Sequence, residues 1–299
     1  MFNKIKEIVL KRLIVFFLLT ILFISCSSVK ETGKYKITNE ANFFWKVKHN
    51  KATVFLFGSI HVAKNDMYPL SNKVTDAFES SDALVVELDI NNVNPMLMLQ
   101  KAMYQDEKTL ESELTKETYQ KLEALLLLHK VPKMAYYKMK PWMAMMTVLM
   151  LEMNQSGFDK SLGIDNFFLD KAKEKKQILE LETADEQLDL FDKELASLQN
   201  EFIDYSLMDQ SLWLQQIDTL VHFWKTGNTK GMEKFVLEPI AEHPEFAKIV
   251  DKLYTQRNIK MANKIETYLN TDKTYFVVVG AAHLIGDEGI IELLRKVKK

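Results

Sequence analysis

Two Gly-x-x-His motifs, far apart in the chain, are the sequence features best suited to chemistry. Each closes an apolar run: TVFLFGSIH at residues 53–61 and TYFVVVGAAH at residues 274–283. With nine glycines and six histidines, random placement would give this motif roughly 0.2 times. A glycine at a strand end lets backbone or ligand approach closely, and ligands of open α/β sheets bind at the carboxyl edge. We therefore predict that His61 and His283 meet in one crevice at that edge.

A third apolar run ends in two acidic residues, which add a ligand or a base. SDALVVELD at residues 81–89 places Glu87 and Asp89 on the same face of an extended chain. A buried carboxylate is costly unless a metal or a hydrogen-bond donor compensates it. Two histidines and Glu87 form a suitable ligand set for a divalent transition metal with an open position. The other histidines lack the motif and are predicted to be surface or packing residues: His49, His129, His222 and His243.

Apolar runs near the two ends of the chain predict the strands that position these residues. They are residues 43–61, read as two strands joined at His49-Asn50, then 81–89, 176–183 and 274–280. Continuous apolar runs separated by helical segments are typical of buried parallel strands. The predicted fold class is α/β, with α+β as the alternative. Its sheet is central and largely parallel, takes strands from both ends of the chain, and encloses a long helical middle.

The middle of the chain shows helical periodicity almost throughout. The predicted helices are residues 70–80, 115–129, 141–153, 167–176, 184–225 and 229–269. Gly227 and Gly231 mark the break between the last two, which read as long amphipathic helices. No composition shift or linker divides this region, so residues 41–299 are predicted to form a single domain.

The N-terminus has the features of a bacterial lipoprotein signal. A basic region precedes the apolar stretch at residues 13–25, and the single cysteine, Cys26, follows directly. We predict a signal peptide over residues 1–25, lipidation of Cys26, and a polar tether over residues 26–40. The alternative is an uncleaved anchor with an incidental thiol. The first interpretation predicts a lipid-anchored, extracytoplasmic protein of the bacterial cell envelope. With one cysteine in the sequence, structural disulfides are excluded under either interpretation.

Composition excludes one class of partner. The 299 residues are 47% hydrophobic and 27% charged, which are ordinary values for a globular protein with a sizeable core. The net charge of −2 gives no electrostatic case for binding nucleic acid. The expected partners are a peptide or protein substrate and, through the lipid, a membrane.

The two Gly-x-x-His motifs and the acidic residues that follow the third apolar run resemble motifs of the TraB/PrgY/GumN family, which is related to the Tiki metalloproteases. More distant relatives are the ChaN-like haem-binding and erythromycin-esterase-like proteins. The resemblance covers nearly all of the chain after the signal region. It rests on matching segments: Gly58-Ser59-Ile60-His61, Glu87 with Asp89, Lys160 to Asp165, Leu181-Glu182-Thr183 with Gln187, Arg257-Asn258, and Gly280 to Leu284.

The resemblance implies a fold, a site and an activity. The fold would be a single α/β unit of two pseudo-equivalent halves. The site would consist of the two motif histidines and the glutamate that follows the first. Activity like that of the Tiki branch would be metal-dependent peptide hydrolysis with manganese- or cobalt-type ions.

Four further residues have two interpretations each. Asp165 is most simply a helix N-cap, with a role in the site as the alternative. Glu182 is either a site carboxylate or an acid favoured by a helix dipole. Arg257, with Asn258, could hold a substrate carboxylate or stabilise an oxyanion, or it could form an ion pair with a neighbouring helix.

The mechanism that these residues favour is metal-assisted hydrolysis. One divalent ion (Mn, Co or Zn), held by His61, His283 and Glu87, would lower the pKa of a water from about 16 to about 7. Glu87 or, as the second choice, Asp89 would accept the proton while hydroxide attacks a carbonyl carbon.

Two other functions compete with this mechanism. The first is a non-catalytic protein that binds a small peptide or haem in the same crevice, although haem sites rarely need an acid such as Glu87 beside the ligands. The second is a lipoprotein whose helical region, residues 184–269, contacts partners. That function leaves both Gly-x-x-His motifs unexplained.

Overall fold

The computed structural model describes residues 33–194, 196–207, 210–242 and 247–298. The predicted signal peptide, Cys26 and His243 lie outside the described residues. The described part from Gly33 onward forms one compact unit.

A six-stranded mixed sheet organises the fold and confirms the predicted α/β class. Its strands are β1 (Lys36–Ala41), β2 (Phe44–His49), β3 (Ala52–Ser59), β4 (Ala83–Val86), β5 (Gln177–Glu180) and β6 (Thr274–Gly280). The order across the sheet is β1-β2-β3-β6-β4-β5. The first three strands are antiparallel neighbours, whereas β3, β6, β4 and β5 run parallel.

The C-terminal strand β6 occupies the middle of this sheet. It pairs with β3 on one side and β4 on the other, with Ser59 opposite Gly280 and Val86 opposite Val278. Its central valines are fully buried, as expected for a parallel strand covered on both faces. The carboxyl ends of β3, β4 and β6 therefore lie side by side, although their residues are distant in sequence.

Helices cover the sheet and form most of the middle of the chain. In chain order they are α1 (Asn72–Glu79), α2 (Pro95–Ala102), α3 (Lys116–Leu128), α4 (Lys133–Tyr136), α5 (Pro141–Gln155), α6 (Ile164–Ala172), α7 (Ala184–Asp189), α8 (Gln199–Ser206), α9 (Gln210–Thr226), α10 (Thr229–Glu242), α11 (Ala247–Val250), α12 (Gln256–Leu269) and α13 (Ile290–Lys296). None of these described helices has the length and apolar character needed to cross a bilayer.

The two long helices expected from the sequence are each divided. Residues 184–225 contain α7, α8 and most of α9, with a π turn at Leu190–Glu194 and a 3-10 turn at Ala196–Leu198 between α7 and α8. In the second region, α11 and α12 flank a π turn at Asp251–Thr255. Only one of the two glycines marks the predicted break. Gly227, at φ 69°, follows α9, whereas Gly231 lies inside α10. Amphipathic periodicity continues through such turns, so it does not reveal them.

An aromatic core joins the sheet to the helix that leads into β5. Phe168 of α6 packs against Phe276 of β6 at 4.8 Å between ring centroids, and against Phe57 of β3 at 6.0 Å. All three rings are buried. These contacts fix α6 against the strands whose ends carry the histidines.

One strand was not expected from the sequence. Residues 36–41, most of which fall within the predicted tether, form the edge strand β1, which pairs with β2 and contains a bulge between Asn39 and Ala41. No residue of β1 is fully buried. Its sequence, KITNEA, lacks the apolar run of a central strand, because an edge strand needs only partial burial.

Candidate active site

Three predicted residues surround one point at the carboxyl edge of the sheet. A methyl group placed on Gly280 would lie 3.3 Å from Glu87 Oε1, 3.4 Å from His283 Cδ2 and 3.7 Å from His61 Nε2. The last two atoms are thus no farther apart than about 7 Å, the total of their distances to this point. The structure therefore brings His61, Glu87 and His283 together from the ends of β3, β4 and β6.

Both motif glycines lie where other parts of the site come close. A methyl group on Gly58 would come within 2.9 Å of the Cα of Ala281, in the second motif. A methyl group on Gly280 would crowd Glu87 Oε1 at 3.3 Å and would be in ordinary contact with His61 Nε2 at 3.7 Å. The first glycine thus leaves room for the second motif, and the second leaves room for Glu87.

Glu87 is a buried, ionised carboxylate, and each of its two oxygens accepts a hydrogen bond from a neighbour. Oε1 accepts the backbone N–H of Gly280 at 2.6 Å, and Oε2 accepts from Nη2 of Arg257 at 2.7 Å. His283 Nε2 lies 3.9 Å from Oε1. Burial alone would raise the pKa of Glu87, but His283, His61, Arg257 and the Gly280 N–H together lower it to about 2. Glu87 therefore stays negatively charged at neutral pH.

Arg257 is committed to two carboxylates. Its Nη2 donates to Glu87 and to Glu182 Oε2 at 2.6 Å, its Nε donates to Glu182 Oε1 at 2.8 Å, and its Nη1 donates to the carbonyl of Leu253 at 3.1 Å. Burial would lower the pKa of Arg257, but both carboxylates raise it. This geometry favours the ion-pair interpretation over an oxyanion role. The partners, however, follow strands β4 and β5 and do not lie on a neighbouring helix.

Glu182 belongs to this network and does not cap a helix. Thr183 is the N-cap of α7, and Glu186 completes a capping box with it. Glu182, one residue earlier, is buried and accepts from Gln187 Nε2 at 3.0 Å as well as from Arg257. Of its two interpretations, the structure favours a carboxylate at the edge of the site.

His283 is a buried histidine with an amide partner. Its Nδ1 lies 2.6 Å from Oδ1 of Asn258, and the ring of Tyr254 packs against it at 5.3 Å between centroids. Burial is the main reason that the pKa of His283 falls to about 4, despite the nearby carboxylate of Glu87. Asn258 Nδ2 donates to the carbonyl of Glu288 at 2.9 Å. The amide is therefore not free to stabilise an oxyanion as predicted.

His61 has the opposite environment. Its side chain is 70% exposed, and its Nδ1 lies 2.9 Å from Oδ2 of Asp165. The charge of Asp165 is the main cause that raises the pKa of His61 to about 9. Ser59 Oγ donates to the other oxygen of Asp165 at 2.8 Å and holds the carboxylate in place. Ser59 lies within the motif, but sequence reasoning gave it no role.

The N-cap interpretation of Asp165 is wrong, and its carboxylate contacts His61 instead. Gly163 is the N-cap of α6, and Asp165 lies inside the first turn, where its carboxylate turns to His61. A methyl group on Gly163 would come within 2.3 Å of the carbonyl oxygen of His61. The glycine therefore lets the start of α6 contact the backbone of His61. The Gly-x-Asp spacing in the sequence is the signal for this pair.

Asp89 does not join the site. Its Oδ1 accepts the N–H of Asn91 at 3.1 Å and its Oδ2 accepts from Nδ2 of Asn92 at 2.6 Å, so it caps its own short 3-10 turn. Strand β4 ends at Val86, and the chain then turns. Because both residues lie beyond the end of the strand, the alternation of a strand does not place Glu87 and Asp89 on one face.

The described histidines outside the motifs have structural surroundings. His49 packs edge-on against Tyr35, and His129, at the end of α3, contacts Glu152 of α5. His222 is exposed on α9. Within the part of the chain that the structure describes, none of the three forms a hydrogen bond, an ion pair or a ring contact with Glu87 or with the motif histidines.

The chemistry of the donor set fits a divalent transition metal. Because Nδ1 of each motif histidine faces a hydrogen-bond partner, Nε2 of each remains for a ligand, and Glu87 supplies an anionic oxygen. Within the described ranges, no three His, Cys, Asp or Glu side chains are already gathered as a group that could hold an ion. His61, which is exposed, is the donor with the most freedom to complete such a group.

Comparison with known proteins adds an independent observation. A family model described as the TraB/PrgY/gumN family matches residues 43–298. The protein YbaP of Escherichia coli (strain K12) is 26% identical over 245 residues, which cover 80% of this chain and 87% of YbaP. A Metalloprotease TIKI homolog of Nematostella vectensis is 25% identical and covers 86% of this chain and 66% of its own length. No solved structure matches the chain significantly.

Proposed function

Because the chain belongs to the TraB/PrgY/gumN family, we propose that it is a metal-dependent hydrolase that cleaves peptide bonds. One observation carries the proposal: His61, Glu87 and His283 surround a single point beside Gly280 at the edge where parallel strands end. The similarity to a protein named as a metalloprotease supports the reaction class. The substrate would be a peptide or protein.

The proposed centre uses His61, His283 and Glu87 to hold one divalent ion. When bound, manganese, cobalt or zinc would polarise the scissile carbonyl and lower the pKa of a water molecule. Arg257 and the Gly280 N–H keep Glu87 ionised and oriented. A carboxylate with a pKa of about 2 accepts protons poorly at neutral pH. Its surroundings therefore suit Glu87 as a ligand better than as a base.

In a mechanism without a metal, His61 is the described site residue that could carry a proton near the substrate. Its ring is accessible, its Nδ1 is held by Asp165, and its Nε2 faces the centre. Without a metal, a histidine so oriented would act as a general acid at neutral pH, because its pKa of about 9 keeps it protonated, and as a general base only at higher pH. Chelation separates the two mechanisms, because only metal-dependent hydrolysis stops when the ion is removed.

The function is tested by incubating the purified protein with a peptide library and following cleavage by mass spectrometry. We expect cleavage with Mn²⁺, Co²⁺ or Zn²⁺ and none after chelation, and His61→Ala and His283→Ala should each lower turnover by about 100-fold or more. His222→Ala, a change at an exposed histidine outside the site, is the matched control and should leave turnover unchanged. Full activity in both motif variants would contradict the proposal.

Binding without turnover is the rival outcome. A protein that sequesters a peptide would bind the library saturably and release it uncleaved, and a haem-binding protein would give a Soret band on titration with hemin. Neither outcome would require the metal. The buried, ionised Glu87 beside His283 favours the hydrolase, because a haem site has little use for that charge.

We further propose that the protein is anchored in the bacterial cell envelope through a lipid on Cys26. The support is the sequence pattern alone: basic residues, an apolar stretch at 13–25 and the single cysteine. Labelled palmitate should be incorporated into the protein and into Ser27→Ala but not into Cys26→Ala. Equal labelling of both variants, or no labelling of the natural protein, would contradict lipidation.

A further inference from the structure

The two motif histidines are oriented by chemically different partners, and the partner of His283 has not been assigned a role in the site. His61 faces a carboxylate, Asp165, whereas His283 faces a neutral amide, Asn258. An amide can accept a hydrogen bond with its oxygen or donate one with its nitrogen. Which atom faces His283 therefore decides which ring nitrogen keeps the proton.

The backbone fixes the orientation of that amide. Asn258 Nδ2 lies 2.9 Å from the carbonyl oxygen of Glu288, which can only accept. The nitrogen of the amide must therefore point to Glu288, which leaves Oδ1 for Nδ1 of His283 at 2.6 Å. Reversing the amide would place two acceptors together at Glu288. Nδ1 of His283 therefore carries the proton.

Burial makes this arrangement costly to disturb. Asn258 is 3% exposed and His283 is 5% exposed, so water cannot readily replace a lost partner. A neutral histidine with its proton on Nδ1 has a lone pair on Nε2, which is the nitrogen 3.9 Å from Oε1 of Glu87. The hydrogen bond from Asn258 therefore directs the free lone pair of His283 towards the site.

We propose that Asn258 is a positioning residue that holds His283 in the Nδ1-protonated tautomer and so presents Nε2 as a metal-binding nitrogen. The tautomer itself follows from the chain of hydrogen bonds Glu288–Asn258–His283. Its use for metal binding rests on the proposed function. The two statements are therefore tested by separate measurements.

The tautomer is measured by nitrogen-15 NMR of the imidazole ring in the metal-free, histidine-labelled full-length protein, with His283→Ala used to assign the signals. We expect a protonated Nδ1 and an unprotonated Nε2 for His283. A proton on Nε2, or the tautomer mixture of a free imidazole, would overturn the proposal. This experiment needs no variant of Asn258, so it stands even if such variants fold poorly.

Variants then test whether Asn258 is the cause. Asn258→Leu removes the acceptor and should abolish the preference for Nδ1–H. Asn258→Asp loses the donor to the carbonyl of Glu288 and should be less stable, but it keeps an oxygen beside Nδ1 and should retain the preference. Asn263→Leu, the same change at an exposed position of α12, is the control, and His283 should show the same tautomer in it as in the wild-type protein. An unaltered tautomer in folded Asn258→Leu would overturn the role of Asn258.

Metal affinity supplies the second readout. Titration with Co²⁺ alone, followed by calorimetry, should show about 10- to 100-fold weaker binding for Asn258→Leu, with recovery in Asn258→Asp. A fixed tautomer in a protein that binds no Co²⁺ would contradict the proposed function while leaving the tautomer assignment intact. Equal affinity of Asn258→Leu and the unchanged protein would overturn the positioning role.

Discussion

At the residue scale, the site contains two histidines with opposite electrostatic surroundings. The carboxylate of Asp165 raises the pKa of the exposed His61 to about 9, whereas burial lowers the pKa of His283 to about 4. In the metal-free protein at neutral pH, His61 carries a charge and His283 does not. A bound cation would therefore displace one proton, from His61.

The charge on Asp165 makes a testable contribution. In Asp165→Asn the main cause of the raised pKa is gone, so the pKa of His61 should fall from about 9 towards its ordinary value of 6.5. The measurement is an NMR titration of the His61 ring in metal-free protein. Ser59→Ala keeps the carboxylate but removes its hydrogen bond, and should leave the pKa of His61 raised. An unshifted titration in Asp165→Asn would contradict the assigned cause.

The same ion pair has a defined effect on stability. Because the folded pKa of His61 lies above its unfolded value, the stabilisation is fully present below pH 6.5 and is lost as pH rises through about 9. Exposure of the ring screens the pair, so the effect is small. The difference in unfolding free energy between the protein and Asp165→Asn should therefore shrink over that pH interval.

The sequence identified the residues of the site better than their roles. His61, Glu87 and His283 were predictable because each follows an apolar run, and buried parallel strands bring such ends together. The sequence predicted that Arg257 and Asn258 lie near the site, but it also predicted that their N–H groups are free to bind a substrate. A sequence does not show that Glu182 and the carbonyl of Glu288 already accept those donors.

At the element scale, the short segment before α6 positions His61. Ile164 N–H donates to the carbonyl of Ile60 at 3.1 Å, and Ala63 pairs with Asp159 on the other side of the histidine. Gly163 lies between these contacts, where its missing side chain allows the two segments to touch. The geometry of His61 thus depends on an element that begins about a hundred residues later in the chain.

Gly163→Ala tests this dependence. The added methyl group would clash with the carbonyl of His61 at 2.3 Å, so the backbone must move, at a cost of about 1–3 kcal/mol. We expect a loss of turnover per folded molecule in addition to the loss of stability.

Gly157→Ala is the matched control in the same segment. Its methyl group would meet nothing within 4 Å, but φ of 79° strains an alanine by about 1–3 kcal/mol. It should cost similar stability, measured by denaturant unfolding, and retain turnover. Equal turnover in the two folded variants would show that Gly163 does not position His61.

Some strands and turns could be predicted from the sequence and others could not. The strands β3, β4 and β6 were predictable because full burial demands apolar runs. Strand β1 was not, since its half-exposed sequence resembles a loop. The turns that divide residues 184–269 retain helical periodicity, so the sequence pattern does not reveal them. Gly227, which adopts a left-handed backbone conformation, is the residue that indicated one of the interruptions.

At the scale of the whole molecule, the site forms only when distant parts of the chain meet. Residues 61, 87, 182, 257 and 283 reach it from strands and helices spread over most of the described chain. The position of β6 between β3 and β4 makes this convergence possible. A ligand bound by these residues would therefore stabilise the complete fold by mass action and not one segment.

The most direct test of this account is the location of bound metal. Crystals of the protein soaked with Co²⁺ should show an anomalous scattering peak next to Gly280, within coordination distance of Nε2 of His61, Nε2 of His283 and the carboxylate of Glu87. The peak should be lost in His283→Ala crystals. A protein that binds Co²⁺ elsewhere, or that cleaves peptides while this point stays empty at saturating Co²⁺, would contradict a metal centre built from these three residues.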